Sequence, residues 1–221
     1  MPRPLFRPAP LLLAAMALGV VVLGAVLAMS AITNDPVGLF TRDVATVCTE
    51  AGARLPPYTG SIAVLNYMVW SSAASLSLLV AVLVPSWRRW LLGFAALLLW
   101  LTLDDAQSLH EIVGPKLGVP EHLTFAIYAV AALLLLGGLA ARGRARGRLA
   151  PSDVPFLAGG FLFAVSILVD AGFTGQYLAE DGPKLLGALL WFTVPLLCLP
   201  SGFSPLQDGR AVQEPSGGSA V

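Results

Sequence analysis

The chain has 221 residues, 57% of them hydrophobic and 12% charged, with 13 basic residues balancing 13 acidic ones. A soluble domain carries roughly 25% charged residues, so this chain has too little polar surface for a water-exposed globule, in line with its mean hydropathy of +0.79. Zero net charge excludes a nucleic-acid partner held by bulk electrostatics. Two cysteines, Cys48 and Cys198, without C-x-x-C spacing exclude a zinc ribbon or disulfide scaffold.

Crossing a hydrocarbon layer of about 30 Å takes roughly 20 mostly apolar residues in a helix. Such stretches fall near residues 11–32, 61–84, 90–113, 121–141, 154–173 and 183–199. The expected fold class is all-α: a polytopic transmembrane helical bundle of about six helices over residues 1–200, followed by a Gly/Ser/Pro-rich disordered tail at 201–221. The first stretch follows Arg3 and Arg7 and has a signal-peptide reading with cleavage near Ala28–Ser30. A signal peptide's apolar core spans about 7–15 residues, and the run from Leu11 to Ala28 is longer, which favours an uncleaved helix.

The third stretch carries unusual polarity. On a helix Asp104, Gln107, Ser108 and Glu111 fall at i, i+3, i+4 and i+7, one stripe flanked by Asp105 and His110. The fourth stretch begins at Glu121 and His122, holds Tyr128, and is followed by Arg142, Arg144, Arg146 and Arg148. The fifth holds Asp170 near its end, and Glu180, Asp181 and Lys184 lead into the sixth, where the lysine is expected in an exposed ion pair. Gly24 with Ala28, Gly160 with Ala164, and Gly137 with Gly138 suit close helix approach, while Trp87, Trp90 and Tyr58 suit interfacial belts.

Arginines cluster in alternate connections, so the positive-inside rule orients the chain with N- and C-termini inside. Arginine in large excess over lysine, with abundant alanine, glycine and proline, indicates a bacterial protein and hence a bacterial cytoplasmic (inner) membrane, with membrane lipid as the partner. In this orientation most acids and both histidines face outward. At 1.5 Å per residue, Asn66, Asp104, Tyr128 and Asp170 reach one layer about 8–10 Å below the outer surface. A carboxylate near mid-membrane costs about 2.5–3.5 kcal/mol on insertion scales; a bound cation, a shared proton or a paired base removes that cost. The candidate metal or proton site is therefore Asp104, Asp105, His110, Glu111, Asp170, Glu180 and Asp181, supported by Asn66, Gln107, Ser108 and Tyr128, with a divalent cation as one candidate ligand.

These residues also carry a resemblance. Leu103-Asp104-Asp105 followed by Leu109-His110-Glu111, the step at 118–121, the run from Ser166 to Asp170, and the run from Glu180 to Gly187 with Trp191 beyond it resemble an uncharacterised family of bacterial multi-pass membrane proteins. The 57–60 lead-in to the second helix fits as well, so the resemblance spans nearly the whole chain, and Ala106 and Gln107 stand where bulky apolar residues are usual. Membership implies the multi-pass fold and no activity. A fainter resemblance, to the alkaline ceramidase superfamily of membrane hydrolases, implies a zinc site at one membrane face; the paired histidines of a late helix are missing.

Three readings follow: a non-enzymatic membrane protein that binds a cation or handles protons at its outer face; a metal-dependent intramembrane hydrolase of lipid-type substrates, with Glu111 or Asp105 as base; and a scaffold or assembly subunit whose polar residues pair between helices. Transport has no positive sign, since no repeat or broken mid-membrane segment is evident.

Overall fold

In the computed structural model the described residues are 4–42, 47, 56, 58–147, 149–172 and 177–200, without the side chains of 111, 146 and 171. Cys48 and the expected tail at 201–221 lie outside them. The described residues form six long helices: α1 (Pro8–Thr33), α2 (Ser61–Leu83), α3 (Arg88–Gln107), α4 (Glu121–Arg146), α5 (Asp153–Gly172) and α6 (Tyr177–Cys198). No β-strand occurs among the described residues, which leaves an isolated bridge between Pro4 and Pro200 beside the helices. The fold is all-α.

Four of these helices, α1, α2, α4 and α5, are long and apolar enough to cross a membrane. The other two, α3 and α6, carry the buried Asp104, Asp105 and Asp181, and they are the most enclosed. Along α6, Leu185, Ala188, Trp191 and Val194 are all nearly inaccessible, and along α3 Leu91, Phe94, Ala95 and Leu98 are fully buried. Helix α2 packs along both, α5 packs along α6, and α1 and α4 lie outside against α6 and α3. Polar helices surrounded by apolar ones are the arrangement a hydrocarbon solvent favours.

The centre is aromatic. Trp90, Phe94, Phe156 and Trp191 touch one another with ring centroids 5.1–6.1 Å apart. A buried indole N–H usually finds an acceptor, and the two of this cluster do. Trp90 Nε1 donates to the Leu135 carbonyl and Trp191 Nε1 to the Phe156 carbonyl, both at 3.0 Å. Three residues beyond each acceptor stands a glycine, Gly138 and Gly159, where a Cβ would press on the indole at 3.2 Å and 2.5 Å. Trp90 is thus a core residue rather than an interfacial anchor.

The tightest small-residue contact also differs from expectation. Helices α5 and α6 meet at Gly159 and Gly187, where a Cβ on either would lie 2.9 Å from the other's carbonyl oxygen. Gly24 and Gly137 face open space instead.

Helix boundaries agree with the sequence within a few residues except at three places. Helix α4 continues through the arginines to Gly147, whose φ of +68° ends it. Helix α6 starts six residues early, with Glu180 in its first turn opposite the positive end of the helix dipole. Helix α3 stops at Gln107, with consequences for the site.

Candidate functional site

Ser108 adopts φ 46° and ψ 47°, the left-handed region, and the chain then makes a π-turn over Leu109–Val113 before the short helix Gly114–Lys116. A serine there is held by its surroundings and not by its own preference. The cause is visible one turn back. Asp104, 2% exposed, accepts the backbone N–H of His110 on Oδ1 at 2.9 Å. Its Oδ2 accepts the hydroxyl of Tyr128 from α4 and lies 2.7 Å from His110 Nδ1. That contact is close, but its geometry is not that of a straight hydrogen bond. On the imidazole's other side Nε2 lies 4.0 Å from Glu121 Oε1, whose side chain is 46% exposed. The Phe125 ring, with its centroid 5.5 Å away, flanks the imidazole.

The break reorganises the expected stripe. Asp104 and Ser108 are buried, Gln107 turns outward to solvent or lipid, and the Glu111 side chain lies outside the described residues. His110 moves from the flank to the centre, 8% exposed. Asp105, 7% exposed, points to a second cluster, in which Lys184 Nζ stands 3.7 Å from Asp105 Oδ1 and 3.6 Å from Asp181 Oδ1. Lys184 is not the exposed partner expected of it; its side chain is 16% exposed and it ties α3 to α6.

Between the two clusters lies a small void of about 20 Å³ lined by Asp104, Asp105, His110, Tyr128, Asp170 and Lys184 among others. That space suits about one water molecule. It adjoins a more open cleft of about 210 Å³ lined by Thr41, Arg42, Tyr177, Glu180, Asp181 and Asp170 among others. Five carboxylates in this cleft (Asp105, Glu121, Asp170, Glu180 and Asp181) face two cationic side chains, Arg42 and Lys184. Asp170 is exposed, contrary to the expected buried layer, yet lines both spaces.

Asn66 is fully buried on α2, but both its side-chain polar atoms lack a partner among the described residues and it lines neither space. Sequence reasoning missed Arg42, Thr41 and Tyr177, and it paired Lys184 with its neighbours without placing it in the site. Arg42 stacks over Tyr177 at 4.8 Å, a pairing between distant segments with no local signal. Lys184 had one: a lysine three residues after an aspartate at the mouth of an apolar helix.

No three His, Cys, Asp or Glu side chains among the described residues converge so as to hold a metal ion. What the site offers is a chain of titratable groups. Tyr128, Asp104, His110 and Glu121 follow one another from the bundle interior to an exposed carboxylate, with the last step, 4.0 Å, longer than a hydrogen bond.

A helical bundle with four membrane-length apolar helices and a buried carboxylate–histidine–tyrosine cluster at one end defines an integral membrane protein of the helical class. Residues 12–198 match a family described as Domain of unknown function (DUF8692), and the chain belongs to that family. No curated protein matches it, nor does any solved structure. The fainter likeness to alkaline ceramidases gains no support from these matches.

Proposed function

We propose that this is a multi-pass protein of the bacterial cytoplasmic membrane, with both termini inside, whose outer end holds a proton-exchanging centre built on Asp104, His110 and Tyr128. The carrying observation is the buried Asp104 carboxylate, which meets the Tyr128 hydroxyl, the His110 backbone N–H and the His110 imidazole at once. Three donors converging on one buried carboxylate couple it to the imidazole and the phenol, so a change at one group is felt by the others. Glu121 and the acidic cleft supply the route to outer water. The excess of carboxylates over cations in that cleft favours protons and small cations over anions.

The scaffold reading draws on Lys184 between Asp105 and Asp181. A purely structural pairing has no use for the open cleft beside it, so the proton reading is preferred. The metal-dependent hydrolase reading requires a ligand set that the described residues do not form.

Infrared difference spectroscopy of the protein in bilayers, stepped between about pH 8 and pH 5, tests the proposal. Carboxyl and imidazole bands moving with one shared midpoint are expected, and Asp104→Asn should both remove the carboxyl band and displace the imidazole one. An imidazole transition unmoved by Asp104→Asn would refute it.

A further inference from the structure

At the opposite, arginine-bearing end of the bundle, helix α3 begins in an electrostatically unfavourable way. Its first two residues are Arg88 and Arg89, both exposed, with no acid in the first turn and no side-chain cap. A helix N-terminus already bears about half a positive charge, so two arginines there oppose the dipole and repel each other. A third guanidinium is fastened to the 3₁₀ turn Pro85–Trp87 that leads into this start. Arg142 of α4 donates from Nη2 to the Ser86 carbonyl at 2.9 Å and lies over the Trp87 ring, 4.5 Å from its centroid. Trp87 in turn stands edge-on to Trp90 at 5.8 Å, which ties this arrangement to the aromatic core. Neither Arg88 nor Arg89 has an ion-pair partner among the described residues. The described acid at this end is Asp153, 1% exposed, whose Oδ2 accepts the Ala150 N–H at 2.7 Å.

The positive-inside rule accounts for arginines at this end of the chain. It does not account for two of them in the first turn of a helix with a third held beside them. An anion at that point offsets all three charges and the dipole together. We propose that Arg88, Arg89 and Arg142 hold the phosphodiester of one anionic phospholipid, where the start of α3 meets the end of α4. Guanidinium groups bind phosphate oxygens two at a time, and the open end of α3 adds its dipole. Basic sites between membrane helices recruit anionic headgroups by the same charge. A phosphatidylethanolamine or phosphatidylcholine headgroup brings its own cation into this field and is the poorer ligand. Bound there, the lipid ties α3 to α4, the helix that carries Tyr128 and Glu121. The inference rests on the chain spanning a membrane and is independent of the proton centre at the other end.

The test uses the full-length protein purified in mild detergent, stripped of lipid and offered equimolar phosphatidylglycerol, phosphatidylethanolamine and phosphatidylcholine of matched acyl chains. Native mass spectrometry then counts the lipid that stays bound. One phosphatidylglycerol per chain is expected, retained about tenfold over either zwitterionic lipid. One arginine near an anionic headgroup is worth about fivefold in affinity. Replacing both exposed arginines, as Arg88→Gln with Arg89→Gln, should therefore lower retention about 25-fold, and Arg142→Gln about fivefold. Arg144→Gln removes the same charge at an exposed position about 200° around α4 from Arg142, and should change retention by less than about twofold. Equal retention of the three lipids by the unaltered protein overturns the proposal without reliance on any variant's folding. A loss in Arg144→Gln as large as that in Arg142→Gln overturns it as well, since that marks diffuse attraction and not a site.

Discussion

The contact between Tyr128 and Asp104 makes a prediction whose size can be worked out. Tyr128 is 5% exposed and Asp104 2%, so bulk water does not reach the bond, and the adjoining void has room for about one water molecule. A hydrogen bond to a charged group contributes about 1.5–3 kcal/mol. In Tyr128→Phe, Asp104 keeps the His110 N–H at 2.9 Å and the imidazole at 2.7 Å, so the loss should fall at the lower end, about 1.5 kcal/mol. In Asp104→Asn the tyrosine, the backbone N–H and the imidazole lose their charged partner together, and about 3 kcal/mol or more is expected. Because both substitutions remove the same bond, the double variant should be less destabilised than the sum by about 1–2 kcal/mol. SDS-titrated unfolding in bicelles, followed by tryptophan fluorescence, measures all four species. His122→Gln, at an exposed position, serves as a control and should shift stability by no more than about 0.5 kcal/mol. Additivity within about 0.5 kcal/mol would mean that the two side chains do not interact, and the proton centre would lose its foundation.

Removing Lys184 as Lys184→Met takes from Asp105 and Asp181 the cation they share, leaving Arg42 as the one cationic side chain named in the cleft lining. The cost should approach the about 3–5 kcal/mol of a broken buried pair, reduced because the lysine is 16% exposed, and adding Asp105→Asn with Asp181→Asn should restore most of it. Gly187→Ala should destabilise by about 1–3 kcal/mol, because its Cβ would meet a backbone oxygen at 2.9 Å, whereas Gly24→Ala has open space and should be neutral in the same unfolding titration. Ser108→Val should cost at least about 1–2 kcal/mol, since a β-branched residue resists the left-handed backbone, and Ser108→Gly should be clearly milder. Calcium, magnesium or zinc should leave the thermal midpoint of the unaltered protein in place, whereas a resident site saturated at a hundred times its Kd would add about 2.7 kcal/mol.

The helices were legible because a hydrocarbon solvent imposes a crude rule: apolar runs of the right length must be helical. That rule located all six helices and their order. It did not show which helices lie inside, although α3 and α6 advertised their place by carrying charge that lipid would not tolerate. The cofacial glycines were misread for a related reason. Glycine pairs are common along the chain, and a pair such as Gly159 with Gly187 is recognisable only once α5 and α6 are known to touch. Trp90 was misplaced because an aromatic near a helix end suits the interface and the core equally; the Leu135 carbonyl that receives its N–H lies on another helix.

The site itself depends on a feature that no local pattern encodes. In an unbroken helix His110 would stand six residues beyond Asp104, about 9 Å further along the axis and turned about 120° away. The sequence from Asp104 to Glu111 contains no glycine or proline to stop a helix, so local preference favours the unbroken form. What competes with it is tertiary. The Asp104 carboxylate, fixed by Tyr128 on α4, captures the His110 N–H, and the chain turns through Ser108 to deliver it. The turn sacrifices regular helical hydrogen bonds and places a serine in a costly conformation, of order 1–3 kcal/mol. It gains the approach of an imidazole to a buried carboxylate, with the imidazole's far nitrogen turned toward Glu121. Stability alone would be served by a straight helix with an apolar residue at the position of Asp104, as replacements of buried ion pairs generally show. Strain maintained around this buried pair is what the proposed proton exchange calls for, so Ser108 and Asp104, rather than the more numerous exposed acids, are the positions at which that proposal is put to the test.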